Sequence, residues 1–120
     1  MTVQECYAAL GANYQEAIGR LMNDALIKRF LGKFVSTYSL SELETAVKNQ
    51  DGHEIFERVH ALKGVVGNLA LTKLYNLASD LTEKTRGCTV GDKYEASAEY
   101  TVIAAEFDKT ISTIKDCLGL

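Results

Sequence analysis

Apolar residues recur at intervals of three and four along almost the whole chain of 120 residues, and the chain contains no proline. This spacing places apolar side chains on one face of an α-helix, and no segment shows the sustained alternation that is typical of a half-buried strand. Because proline strongly interrupts helices, its absence allows long ones. The pattern therefore predicts an all-α protein.

The first half of the chain divides into two helical regions. Residues 3–22 are interrupted by Gly11 and fit either two short helices or one broken helix. A long helix is predicted for residues 23–49, with a bend near Ser39 and Ser41, where the apolar stripe changes phase. The next residues form a turn before a third region begins.

Asp51 followed by Glu54 is typical of a capping box and predicts that a helix starts at this point. The apolar residues of this helix have the 4-3-4-3 spacing of a bundle seam. They are Ile55, Val59, Leu62, Val66 and Leu69. This seam predicts which side of the helix is buried.

Two further helices complete the predicted architecture. One is expected at about residues 72–86, ending at Gly87 in the left-handed position that follows many helices. The last is expected to be capped by Asp92 together with Glu95. Four long amphipathic helices with short turns pack best as an antiparallel up-and-down four-helix bundle, here with a short N-terminal helical cap and a bundle core at about 23–118.

The length suits a single domain over residues 1–120. A net charge of −3 argues against nucleic acid as a partner. No apolar run is long enough to span a bilayer and no leader pattern opens the chain, so we expect no membrane association and a cytoplasmic location. The three cysteines Cys6, Cys88 and Cys117 have no paired spacing, which argues against a disulfide framework and fits a reducing cytosol.

His60 lies away from the apolar seam of its helix. At about 100° per residue the seam residues cluster on one side, and His60 points well away from their centre, so we expect it to be accessible to solvent. The residues that share its face are His53, Phe56, Lys63, Gly64 and Gly67. The helix is thus anchored through one side and presents an imidazole on another.

The glycines on this face need a reason, because each costs about 1 kcal/mol relative to alanine inside a helix. Close packing against another helix would explain glycines on the seam, but Gly64 and Gly67 lie on the side of His60. We interpret them as clearance that lets a second protein approach the imidazole. Lys63 is a neighbour of His60 at a spacing of three residues. Its ammonium can offset the charge of a phosphoryl group, although simple solvation would also explain a surface lysine.

An accessible imidazole is an effective nucleophile when it is neutral, and histidine in water titrates near pH 6.5. It can attack an acyl phosphate such as aspartyl phosphate and form a phosphoramidate, from which a second aspartate can take the group. The chain has no glycine-rich nucleotide loop, and the helix offers no base and no metal site. The remaining machinery must therefore come from a partner.

The segment His60-Ala61-Leu62-Lys63-Gly64 resembles the H-x-L-K-G signature of histidine phosphotransfer (HPt) domains in phosphorelays and chemotaxis kinases. The likeness extends over about residues 23–118. It implies that His60 is the phosphoacceptor, that Lys63 gives electrostatic support and that Gly64 gives steric access. It further implies a phosphocarrier that works with a sensor histidine kinase and with a response-regulator receiver domain. The receiver holds Mg²⁺, and this chain itself needs no cofactor.

The chain departs from the family pattern at two positions. Relatives usually carry glycine where Ala70 stands, in the turn between two helices. They often carry Glu or Gln on the next helix near the histidine, where this chain is expected to place Thr82. Thr82 or Ser79 would then orient the imidazole, and only weakly.

Other classes of protein fit less well. Glu57 and His60 have the Glu-x-x-His spacing of di-iron bundles, but such sites need two inward-facing copies, so we expect no metal. The dimerisation domain of a kinase would need a proline near the histidine, and autophosphorylation would need a nucleotide-binding domain. A helical adaptor that docks partners but never carries phosphate is the main alternative. A monomer is expected, because the seams are satisfied within one chain.

Overall fold

The computed structural model describes all 120 residues and contains seven α-helices and no strand. The helices are α1 (Val3–Leu10), α2 (Tyr14–Leu21), α3 (Asp24–Thr37), α4 (Ser41–Lys48), α5 (Gly52–Asn68), α6 (Thr72–Thr85) and α7 (Ser97–Leu118). The only β-type pairing is an isolated bridge between Asp51 and Lys93. The prediction of an all-α fold is confirmed.

The N-terminal segment forms two short helices, one of the two arrangements that the sequence allows. Thr2 caps α1 in a reciprocal capping box with Glu5. Gly11 then ends α1 with a φ of 62°, a left-handed conformation that glycine adopts without a steric penalty. The fully buried Tyr7 donates its hydroxyl proton to the carbonyl of Leu69 at 2.8 Å, so α1 is tied to the end of α5.

Two helices, α3 and α4, replace the single long helix that was predicted for this part of the chain. The predicted continuity is wrong, although the predicted bend lies at the observed break. Tyr38 leaves the helical conformation with φ −84° and ψ 138°, and its ring packs against Phe34 and Phe107. The hydroxyl of Ser39 accepts the backbone N–H of Ser41, a local bond that competes with helix continuation.

The start of α5 is capped by Asp51, as predicted, and the Asp51 carboxylate accepts the backbone N–H of Glu54 at 3.1 Å. The side chain of Glu54 does not complete a capping box, because it binds Arg58 instead. All five seam residues are buried, and their exposed fractions are 4% or less: Ile55, Val59, Leu62, Val66 and Leu69. Burial of one such side chain contributes about 1.5–3 kcal/mol, so the seam fixes which side of α5 faces outward.

The ends of the last two helices differ from the prediction. Gly87 does not take the left-handed position, because the chain leaves α6 through Arg86 in a right-handed conformation and Gly87 has no positive φ. The last helix begins at Ser97 rather than at Asp92. The Asp92 carboxylate accepts the backbone N–H and the hydroxyl of Thr89, and therefore closes the preceding loop instead of capping a helix.

One apolar core joins all seven helices. It is a cluster of 26 buried residues that extends along the chain from Val3 to Ile114. Helix α5 packs most extensively against α6, α4 also packs on α5, and both α3 and α6 pack on α7. None of the helices has the length and apolar character needed to cross a bilayer. The packing leaves one side of α5 open between α2 and α6.

Candidate functional site

The imidazole of His60 lies on the open side of α5 and is exposed, as the phase of the helix predicts. The residue that precedes it, Val59, is completely buried in the core. Helix α5 is therefore held rigidly by its seam while it presents His60 to solvent. A group in this position can meet a partner protein without any rearrangement of the core.

An aromatic ring supports the imidazole from the preceding turn of the same helix. The rings of Phe56 and His60 are stacked, with 5.4 Å between their centroids and 10° between their planes. The guanidinium of Arg86, at the end of α6, lies 5.5 Å from the centroid of the Phe56 ring. Phe56 of α5 therefore lies close to both the imidazole and a guanidinium at the end of α6, and it restricts the position of the imidazole.

Lys63 is held by a contact with the neighbouring helix. Its ammonium lies 5.8 Å from the ring centroid of Tyr75 on α6, within the range of a cation–π interaction. Such contacts contribute about 0.5–1 kcal/mol at exposed sites. Tyr75 therefore favours a position of the ammonium on the face that α5 shares with His60.

The two glycines differ in what surrounds them. A Cβ atom at Gly64 would meet nothing within 4 Å, whereas one at Gly67 would contact the Tyr75 ring at 3.5 Å. Helix packing therefore does not explain Gly64. The interpretation of Gly64 as clearance beside His60 agrees with this open space, and Gly67 borders an aromatic side chain at ordinary contact distance.

A groove of about 450 Å³ runs beside the imidazole between α2, α5 and α6. It brings together four of the predicted site residues: His60, Lys63, Gly64 and Gly67. The α2 side of the groove carries an ion pair between Glu16 and Arg20, with 3.1 Å between the charged atoms. Sequence reasoning did not place α2 at this site, because nothing in the local pattern of α2 indicates where that helix packs.

The family model for the Hpt domain matches residues 36–115, about two-thirds of the chain. The chain belongs to the Hpt domain family. Hpt domains are the histidine phosphotransfer modules of phosphorelays; they carry phosphoryl groups, are not enzymes in themselves and interact with kinases and response regulators. No curated protein and no solved structure matches the chain.

In this Hpt domain a carboxylate from α6 contributes to the electrostatics around the imidazole. Glu83 accepts hydrogen bonds from Arg86 at 2.7 and 3.2 Å. These bonds and the charge of Arg86, followed by smaller contributions from Lys63 and His60, hold the pKa of Glu83 below its usual value. Sequence reasoning missed Glu83 and Arg86. The available signal was the family preference for Glu or Gln on the next helix, which pointed to the adjacent residue.

The two residues that were predicted to orient the imidazole have different outcomes. Thr82 is completely buried, and its hydroxyl donates to the carbonyl of Ala78 at 2.6 Å. The prediction that Thr82 orients His60 is therefore wrong, because its side chain points into the core. Ser79 is partly buried on the same helix, and its role stays a prediction.

No group of three or more His, Cys, Asp or Glu side chains is arranged to hold a metal ion. Glu57, the carboxylate of the Glu-x-x-His spacing, lies beside His53, with 3.8 Å between the nearest nitrogen and oxygen. The chemistry that this Hpt domain offers at the site is that of an exposed imidazole with an ammonium next to it on the same helix face.

Proposed function

We propose that His60 accepts a phosphoryl group from an aspartyl phosphate of a phosphorelay partner and passes it to the aspartate of a receiver domain. In the first step an unprotonated ring nitrogen attacks phosphorus. An N–P bond forms while the P–O bond to the donor carboxylate breaks, and that carboxylate leaves. The reverse chemistry with a second carboxylate delivers the group onward. The observation that carries the proposal is an exposed imidazole with only solvent beside the adjacent Gly64.

Lys63 and Gly64 have distinct roles in this proposal. The Lys63 ammonium offsets negative charge on the phosphoryl group, since charge-assisted contacts to phosphate are stronger than neutral ones. Gly64 leaves space for the edge of the partner that carries the reacting aspartate. Phe56 limits the orientations of the imidazole, so that less conformational entropy is lost when the partner docks.

The partner supplies the rest of the machinery. We propose that acidic residues and Mg²⁺ on the receiver domain activate its aspartyl phosphate, and that a sensor histidine kinase supplies the phosphoryl group to the relay. The chain acts in the cytoplasm as a monomer and is a carrier rather than a kinase. Incubation with ATP alone is expected to leave His60 unmodified.

The proposal is tested by transfer from receiver domains of the source organism. Each receiver is phosphorylated with a radioactive label and mixed with the purified chain. Acid-labile, alkali-stable label is expected on the wild type and on His53→Gln, a matched variant of the other histidine on α5, but not on His60→Gln. Circular dichroism of the three proteins should be the same.

The adaptor alternative gives a different result in the same experiment. An adaptor would bind a receiver with equal affinity in the wild type and in His60→Gln, and no receiver in the complete set would transfer its label. That combination would overturn the proposed function. Binding by titration calorimetry, measured on the same samples, separates this outcome from an unsuitable choice of partner.

A further inference from the structure

Sulfur atoms from the two ends of the chain lie together outside the His60 groove. The thiol of Cys117, in the last turn of α7, lies 3.2 Å from the thioether sulfur of Met1. Cys6 on α1 is close enough to Cys117 for the two thiols to interact, and both residues line one small cavity between the chain ends. The fold therefore brings together two cysteines that are separated by almost the entire sequence.

The two thiols differ in access to solvent. Cys6 is buried, with 1% of its surface exposed, and burial together with the adjacent Cys117 raises its pKa to about 12. Cys117 is only partly buried. A reagent in solution therefore meets Cys117 first, and Cys6 is the group that can react with Cys117 from within the protein.

We propose that Cys6 and Cys117 are a modification site at which a peroxide produces a reversible intramolecular disulfide. The Cys117 thiol gives up its proton and its sulfur attacks one oxygen of hydrogen peroxide. The O–O bond breaks, Cys117 becomes a sulfenic acid, and the other oxygen leaves as hydroxide, which takes up the proton from the thiol to give water. The Cys6 sulfur then attacks the sulfenic sulfur. The S–S bond forms, the S–O bond breaks, and the hydroxyl leaves with the Cys6 proton as a second water.

The third cysteine provides an internal control. Cys88 lies after α6 and contacts the start of α5, because a Cβ atom added at Gly52 would come within 2.7 Å of the Cys88 sulfur. It is a free thiol in a different part of the fold. If the disulfide forms between the thiols that lie closest together, Cys88 should not take part in it.

A bridge between Cys6 and Cys117 would join α1 to the end of α7. Disulfides that close long loops restrict the unfolded chain most, and this loop includes nearly all of the residues. We therefore expect the oxidised protein to unfold at a temperature several degrees higher than the reduced protein.

The experiment treats the reduced 120-residue protein with equimolar hydrogen peroxide and maps its cysteines by mass spectrometry under non-reducing conditions. The wild type and Cys88→Ser should each lose two hydrogen atoms and yield a Cys6–Cys117 peptide. Their Tm should rise by several degrees, and dithiothreitol should reverse both changes. Cys117→Ser should show neither change.

Several results would overturn this inference. They are a bridge to Cys88, dimers without an internal bridge, sulfinic acid at Cys117 without a bridge, or a bridge that leaves the Tm unchanged. The reaction does not involve His60, so these outcomes do not bear on the proposed phosphotransfer.

Discussion

The imidazole of His60 stacks on the phenyl ring of Phe56 one turn earlier in α5, with centroids 5.4 Å apart and planes within 10° of parallel. Residues at a spacing of four are neighbours on a helix surface, so the sequence itself brings these rings together. Phe56 is half-buried, while His60 is exposed. The contact therefore restricts the nucleophile without covering it.

Replacing the stacked ring should loosen the imidazole. We expect Phe56→Leu to retain the helical fold, to change the proton chemical shifts of the His60 ring through loss of the ring current, and to slow phosphotransfer about threefold because the nucleophile samples more orientations. NMR spectra and transfer rates measure the two effects. Phe30→Leu, at an exposed phenylalanine on α3, is the control for the chemical shifts. Unchanged His60 signals in Phe56→Leu would rule out the stack.

Open space at Gly64 permits two opposite substitutions. Because a Cβ atom there meets nothing within 4 Å, Gly64→Ala should raise the free energy of unfolding by about 1 kcal/mol through its better helix propensity. Gly64→Glu should fold equally well but block transfer, since it places bulk and negative charge beside the incoming phosphoryl group. Urea denaturation and transfer assays measure these effects.

Gly19→Glu is the matched control for the charge change, because Gly19 is also a helix glycine with open space around it and does not line the groove. It should transfer at the wild-type rate. If Gly64→Glu transferred at the wild-type rate, Gly64 would not be needed as space for the partner.

Loss of the Lys63 ammonium should slow transfer without abolishing it. A hydrogen bond to a charged group contributes about 1.5–3 kcal/mol, so Lys63→Ala is expected to reduce the transfer rate by about ten- to a hundredfold. Lys109→Ala, on the exposed side of α7, serves as the control for net charge. An equal reduction in both variants would show that overall charge, rather than the local cation, matters.

The sequence predicted α5 well because its signals are local. The Asp51 cap and the 4-3-4-3 seam depend on neighbours within one helix, and both are observed. The exposure of His60 followed directly from the phase of that seam. The prediction failed at Asp92, which has the spacing of a helix cap. Its carboxylate instead accepts hydrogen bonds from Thr89 and closes a loop.

The parts of the site that come from other helices were not predictable in the same way. The contacts of Tyr75 with Lys63 and of Arg86 with Phe56 depend on how α6 is rotated against α5. The likeness to the family suggested Thr82 as the polar residue near His60, but α6 buries Thr82 and leaves Glu83 exposed. Thr82 is therefore one residue away from Glu83, the carboxylate whose pKa responds to the charges around His60.

Backbone strain after α2 offers a test of the fold that is independent of function. Met22 has φ 79° and ψ −44°, a backbone conformation that residues other than glycine rarely adopt. Its side chain is 78% exposed. Met22→Gly should raise the free energy of unfolding by about 1 kcal/mol, because strain of this kind costs about 1–3 kcal/mol and little burial is lost. Val90→Gly, at an exposed residue without a positive φ, should give no gain in urea denaturation. Equal changes in the free energy of unfolding of the two variants would contradict a strained backbone at Met22.

Reaction with phosphoramidate, a small donor that needs no partner protein, shows which side chain of this protein accepts a phosphoryl group. Tandem mass spectrometry that preserves N–P bonds should place the phosphate on His60 in the wild type, and His60→Gln should remain unmodified. Phosphate on His53 with His60 unmodified, or undiminished labelling of His60→Gln, would show that His60 is not the phosphoacceptor.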